Sequence, residues 1–117
     1  MKKISIIGAG ISGLFIANLF KRIPNYQITI YEKNIQRSLD EGYGVQLSVN
    51  SIKLLNKIGF KELQNKEKFT PKKINFYSSE SSNKICELDI TNFNSEDSRY
   101  TTLKRSILIN FLKRDLG

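Results

Sequence analysis

The sequence predicts an α/β fold that opens with a βαβ unit and carries an inserted β-hairpin. Three observations predict it. An apolar, β-branched run, Lys3 to Ile7, leads straight into Gly8-Ala9-Gly10-Ile11-Ser12-Gly13. Apolar residues then recur at helical spacing, and a second β-branched run, Gln27 to Tyr31, ends in an acid, Glu32. Later, Ile74 to Tyr77 and Ile85 to Ile90 flank an all-polar stretch, the pattern of a hairpin.

The first element is a strand that hands the chain to a glycine turn of the form G-x-G-x-x-G. The helix after it runs from Ile11 to about Arg22, with Ile11, Leu14, Phe15, Ile16, Leu19 and Phe20 apolar, and Pro24-Asn25 stops it. Glu32 follows Gly13 by 19 positions, at the end of the second strand. Glycines alone are a weak signal, but strand before, helix after and acid at this distance form a Rossmann-like dinucleotide fingerprint. Gly8 permits the tight turn, Gly10 lets backbone approach a pyrophosphate, and Gly13 lets the helix lie close to the sheet. The open N–H groups and positive end of that helix attract phosphate. The Glu32 carboxylate suits ribose hydroxyls and repels a 2′-phosphate, which argues against NADP in this site.

Composition narrows the classes. At 117 residues the chain has room for one domain. Its single cysteine, Cys86, forms no internal disulfide, and with no histidine there is no His-based triad and no zinc site to expect. The net charge of +8 divides as +4 over residues 1–33, +2 over 34–70 and +2 over 71–117, a spread that argues for a solvated basic surface and against nucleic acid as a partner. Met1 to Phe20 superficially resembles a secretory signal. Gly8, Gly10, Ser12, Gly13 and Asn18 interrupt it, however, and no small-residue cleavage site follows. No other stretch has the ~20 apolar residues of a membrane span, so a cytoplasmic protein is expected.

After Glu32, Lys33 to Glu41 is a polar surface connection. Gly42-Tyr43-Gly44-Val45-Gln46-Leu47 is a short extended segment, its glycines allowing either a turn or a close approach of backbone to another group. A helix over Ser48 to Ile58 buries Ile52, Leu55 and Ile58, with Ser48 or Asn50 available to cap it. Gly59 ends it in the left-handed conformation, and Phe60 folds back on the last turn. Lys61 to Lys68 is a short exposed helix or loop. In the hairpin, Cys86, Leu88 and Ile90 alternate with Glu87 and Asp89, so Cys86 reads as a small core residue and not as a nucleophile. Arg99 to Leu103 is extended and leads to a helix from Ser106, its expected N-cap, with Leu108, Phe111 and Leu112 inward. The doubly wound pattern calls for a further parallel strand after that helix, so the domain reads as truncated before the later parallel strands.

Three blocks together resemble the amino-terminal part of the class A flavin-dependent monooxygenases, the p-hydroxybenzoate and salicylate hydroxylase family. They are Ile6 to Gly13 through Tyr31-Glu32-Lys33; Gly42 to Leu47 with Asn50 and Leu54 to Gly59; and Arg105 to Leu108 with Leu112. The resemblance implies that residues 1–117 are the incomplete amino-terminal portion of an FAD/NAD(P)-binding domain. Gly8, Gly10, Ser12 and Gly13 would hold the FAD pyrophosphate, Glu32 the ribose, and Lys33 would stand where the family often has a basic residue. Gly44 and Val45 would lie near the flavin, and Arg105 would be the FAD-contacting arginine; Gln46 is bulkier than the family's usual small residue. The implied activity is hydroxylation of a small organic, aromatic substrate with O₂ and with NAD(P)H as electron donor. No catalytic residue and no metal ligand is assigned, and the 117 residues alone are expected to be inactive. Two other readings stay open: a fragment of an amine-oxidase-like or halogenase-like flavoprotein, and a standalone, non-enzymatic nucleotide-binding module.

Overall fold

The computed structural model describes residues 1–33, 43–63, 65–95 and 97–116. Strand β1 (Lys2–Ile7) runs into helix α1 (Ile11–Lys21), which returns the chain to strand β2 (Tyr26–Tyr31). The two strands pair in parallel, with Ile4 opposite Ile28 and Ile6 opposite Ile30. A parallel pair needs a crossover between its strands, and α1 is that crossover. Strand alternation leaves Ile4, Ile6, Ile28 and Ile30 half-buried on one face while Lys3, Ser5, Gln27 and Thr29 point to solvent. Asn25, at φ 71, makes the sharp turn into β2 where the sequence placed its Pro-Asn stop. The polar connection expected over residues 34–41, with Gly42, lies outside the described residues.

From Tyr43 onward the chain forms β3 (Gly44–Leu47), α2 (Val49–Asn56), short 3₁₀ turns at Phe60–Glu62 and Asn65–Glu67, and β4 (Lys68–Phe69). The hairpin strands β5 (Lys73–Tyr77) and β6 (Lys84–Asp89) follow, then β7 (Thr101–Lys104) and α3 (Arg105–Lys113). Strand β7 is the centre of an antiparallel sheet in the order β3-β7-β4. Val45 pairs with Leu103 on one side of it and Lys68 pairs with Leu103 on the other.

The core lies where α1, α2 and α3 meet β7. Leu14, Ile52, Leu55, Ile58, Phe60, Leu103, Leu108, Ile109, Phe111 and Leu112 form one buried cluster. Full burial of Phe60, Leu108 and Leu112 is worth about 1.5–3 kcal/mol each, and Phe60 meets Phe111 edge to face at 5.4 Å. Gly59, at φ 92, stops α2's final turn and aims Phe60 into this cluster, as the sequence predicts.

Three local expectations are corrected. Ser48 is the N-cap of α2, but its hydroxyl bonds the Asn50 side chain instead of the helix N–H groups. Helix α3 starts at Arg105 with Lys104 as its N-cap, so Ser106 lies inside the first turn and caps nothing. Cys86 is exposed, not core. All six residues of β6 are exposed and Ile90 just beyond it is buried; the extensive packing of the hairpin strands is on each other. Alternation along β6 is real, but Cys86 and Leu88 on its apolar face stay exposed.

Candidate cofactor site

The first half of the site is the glycine turn between β1 and α1. Gly8 sits at φ 101, a conformation that L side chains rarely adopt. Its N–H donates to the Tyr31 carbonyl at 2.7 Å, extending the parallel pairing by one step. Next, the Ala9 N–H donates to Glu32 Oε2 at 2.7 Å. The sequence placed Glu32 beside the turn by spacing alone, and this bond makes the carboxylate part of the turn itself.

Gly10 and Gly13 have opposite surroundings. A Cβ on Gly13 would lie 2.1 Å from the Gly8 carbonyl oxygen and 3.3 Å from Ile6 Cγ2, so only glycine lets α1 sit this close to the strand. A Cβ on Gly10 would meet nothing within 4 Å. Gly10 therefore answers to no packing demand, and its bare Cα borders open space at the start of α1. The first intrahelical bond is Leu14 N–H to the Gly10 carbonyl at 3.0 Å, and no side chain caps the helix. The N–H groups of the first turn, with the exposed Ser12 among them, face out as hydrogen-bond donors at the positive end of the helix. Lys33 is exposed directly after Glu32. This arrangement suits a pyrophosphate with an adjacent ribose, so the residues present fit the adenosine diphosphate half of FAD.

The second half is built by sheet pairing. Gly44 lies opposite Lys104 and Val45 opposite Leu103, and the Arg105 N–H donates to the Tyr43 carbonyl at 3.0 Å. Residues 43–45 and Arg105, some 60 positions apart in sequence, thus become neighbours. Arg105 is half-buried at the first position of α3, and Val45 packs partly against the core. Gln46, the bulky residue in this strand, points to solvent and accepts a hydrogen bond from the Tyr100 hydroxyl at 2.7 Å. Beside the pair lies an open groove of about 760 Å³ that Gly44 and Val45 share with Lys66, Lys68, Phe69 and Lys104. Lys68 stands over the Phe60 ring at 5.3 Å, and partial burial pushes its amine below the ordinary lysine value.

The halves are joined through α1 and α3. Asn18, which the sequence reading took only as an interruption of an apolar run, is 3% exposed at their contact. Its Nδ2 donates to the carbonyls of Leu14 and Leu112, both at 2.8 Å. Nothing in the sequence alone distinguishes it from a solvated asparagine; its position four residues after Leu14 on the inward stripe is the one signal. Among the described residues there is no metal-binding cluster, and no helix is long and apolar enough to cross a membrane.

No protein-family model matches the chain, and no curated protein matches it in sequence. Among solved structures, it is similar to the 2,6-dihydroxypyridine-3-hydroxylase of Arthrobacter nicotinovorans, with a TM-score of 0.71 and 15% identity. The match covers 99% of this chain and 27% of that one. At this identity the likeness establishes the fold: this chain folds like a little over a quarter of a hydroxylase, the class of enzyme to which the sequence blocks pointed.

Proposed function

We propose that residues 1–117 are the amino-terminal, FAD-binding portion of a flavoprotein monooxygenase that hydroxylates a small aromatic molecule with NAD(P)H and O₂. The observation that carries this is the Ala9 N–H to Glu32 bond at 2.7 Å beside an uncapped helix start. It joins Glu32 and the glycine turn into one continuous surface, which supports a reading in which the acid takes the ribose and the turn the phosphates. The hydroxylase fold supports the choice of enzyme class.

In this reading the N–H groups at the start of α1 hold the pyrophosphate, and the hydroxyl of Ser12 adds a donor. Glu32 accepts from the ribose hydroxyls while its Oε2 stays anchored on the turn. Arg105 places a permanent cation on the phosphates, and the backbone at Gly44 and Val45 borders the flavin ring. Lys33 adds positive charge at the adenosine end. Bound FAD supplies the redox chemistry with O₂, and the protein supplies placement and exclusion of water. Since the chain matches 27% of the hydroxylase, turnover is proposed for a longer protein, and the 117 residues by themselves are expected to bind without hydroxylating.

Titration of the chain with FAD, followed by flavin fluorescence, tests the proposal. Glu32→Ala should weaken binding by about 1–3 kcal/mol. Equal affinity in wild type and variant would remove Glu32 from the site, and no saturable binding of FAD or ADP at all would end the proposal.

A further inference from the structure

We infer that Asn18 is a positioning residue for the cofactor: it locks α3, and Arg105 with it, to the helix that opens the glycine turn. The inference rests on the FAD reading above, in which α1 and Arg105 act on the same phosphates.

The buried stripe of α1 is Leu14, Ala17 and Asn18. An amide in such a place costs stability unless its hydrogen bonds are made. Asn18 uses its NH₂ group for two, one within its own helix to Leu14 and one to Leu112 of α3. The second partner is informative. Leu112 lies in the last turn of α3, where carbonyls have no intrahelical donor. The backbone bonds that close this end run from Arg114 to Asn110 and Phe111 and from Leu116 to Lys113, and among the described residues they pass the Leu112 carbonyl over. Asn18 is therefore a C-terminal cap supplied by another helix.

The opposite end of α3 is also tied, by the Arg105 N–H to Tyr43 at 3.0 Å. From Leu112 back to Arg105 the helix spans about 10 Å, and a helix this short transmits a shift at one end to the other. Apolar contacts between α1 and α3 are not directional and tolerate sliding, whereas a hydrogen bond at 2.8 Å selects one axial position and one rotation. A leucine at position 18 would keep the apolar contact and lose the register. The Leu112 carbonyl would then be buried without its donor, and α3, with Arg105 at its start, would no longer be held in one register against α1.

A double-mutant cycle on FAD affinity tests this, with thermal stability measured in parallel. Arg105→Ala is expected to weaken FAD binding about tenfold, and Asn18→Leu about fivefold in the folded protein; in the Asn18→Leu background the Arg105→Ala step should shrink to about twofold. Additive effects, or an Asn18→Leu variant that melts earlier yet binds FAD with wild-type affinity, would reduce Asn18 to a structural role and overturn the inference. If Arg105→Ala alone leaves affinity unchanged, it is the FAD reading of Arg105 that fails. Should Asn18→Leu not fold, the Asn18 side-chain amide signals of the wild-type chain give the answer by NMR. They should move on saturation with ADP, and immobile signals would overturn the inference.

Discussion

At the scale of single residues, the glycine turn separates a glycine that packing demands from one that packing does not. Gly13 is demanded by packing, since a methyl group there collides with a backbone carbonyl. Gly10, at φ −81 and ψ −171, has a backbone that alanine adopts freely and open space in front of it. The two alanine variants should therefore fail differently. Gly10→Ala is expected to keep or raise thermal stability, by up to about 1 kcal/mol from the stiffer unfolded chain, while FAD binding falls at least tenfold as the methyl group enters the phosphate cradle. Gly13→Ala is expected to destabilise the chain by several kcal/mol, on the order of a severe core clash. Calorimetry and FAD titration on the same two proteins check both. A Gly10→Ala variant that binds FAD normally would place the phosphate elsewhere.

At the scale of elements, the β5–β6 hairpin behaves as a unit of its own, held by strand pairing and by charges on its surface. Lys84 bonds Glu87 at 2.9 Å and Lys73 approaches the same carboxylate at 3.3 Å. The hydrogen bond from Lys84, then the hydrogen bond from Lys73 and the charges of both, hold the Glu87 carboxyl below its usual range. The Thr91 hydroxyl and backbone N–H do the same for Asp89, and Glu87 raises Lys84. The signs follow from linkage. Glu87 and Asp89 stabilise the hairpin above their ordinary values of 4.5 and 3.8, and that contribution is lost as the pH falls through their lowered folded values. Lys84 stabilises it below 10.5, and that contribution is lost as the pH rises through its raised value. All three groups are exposed, so salt should weaken the effect. Amide protection across β5 and β6, relative to the intrinsic exchange rate at each pH, should fall at both pH extremes, with Glu87 titrating below an ordinary glutamate. A Glu87 side chain that titrates normally by NMR would contradict the ion-pair account.

The element scale also shows where sequence reading stops. The parallel pair, α1, α2 and its Gly59 stop were all legible, because each is specified by local periodicity and by glycines with one permitted role. The β3-β7-β4 sheet was not. Its strands are 4, 4 and 2 residues long and far apart in the chain, and pairing over that distance leaves no periodic trace. The exposure of Cys86 was illegible for a related reason: alternation says which side chains share a face, and only a neighbouring layer says whether that face is buried.

For the molecule as a whole, shape carries a prediction. A compact chain of this length has a radius of gyration near 13 Å; here it is 17.3 Å, with extents of 59 × 33 × 23 Å. The hairpin leaves Phe76, Tyr77, Ile85 and Leu88 in solvent. The β1–β2 sheet has two strands among the described residues, with Ile7 83% exposed. Open strand edges beside apolar side chains favour association. The isolated chain is expected to self-associate as its concentration rises and to unfold over a broad, poorly reversible transition. Light scattering that stays monomeric at every concentration, with a sharp and reversible melt, would count against that.

What the sequence determined by itself is the local half of the candidate site. Strand, glycine turn, helix and acid follow one another within 32 residues, so short-range geometry alone brings Gly8, Gly10, Gly13 and Glu32 together. Tertiary structure decided the rest. It set Arg105 beside Gly44 and Val45 through the pairing of β3 with β7. It also turned Asn18 from an apparent flaw in an apolar helix into the donor that joins α1 to α3. The physical reason is common to both. A hydrogen bond between residues 94 positions apart depends on how whole elements pack, and periodicity along the chain records only which side of an element is apolar.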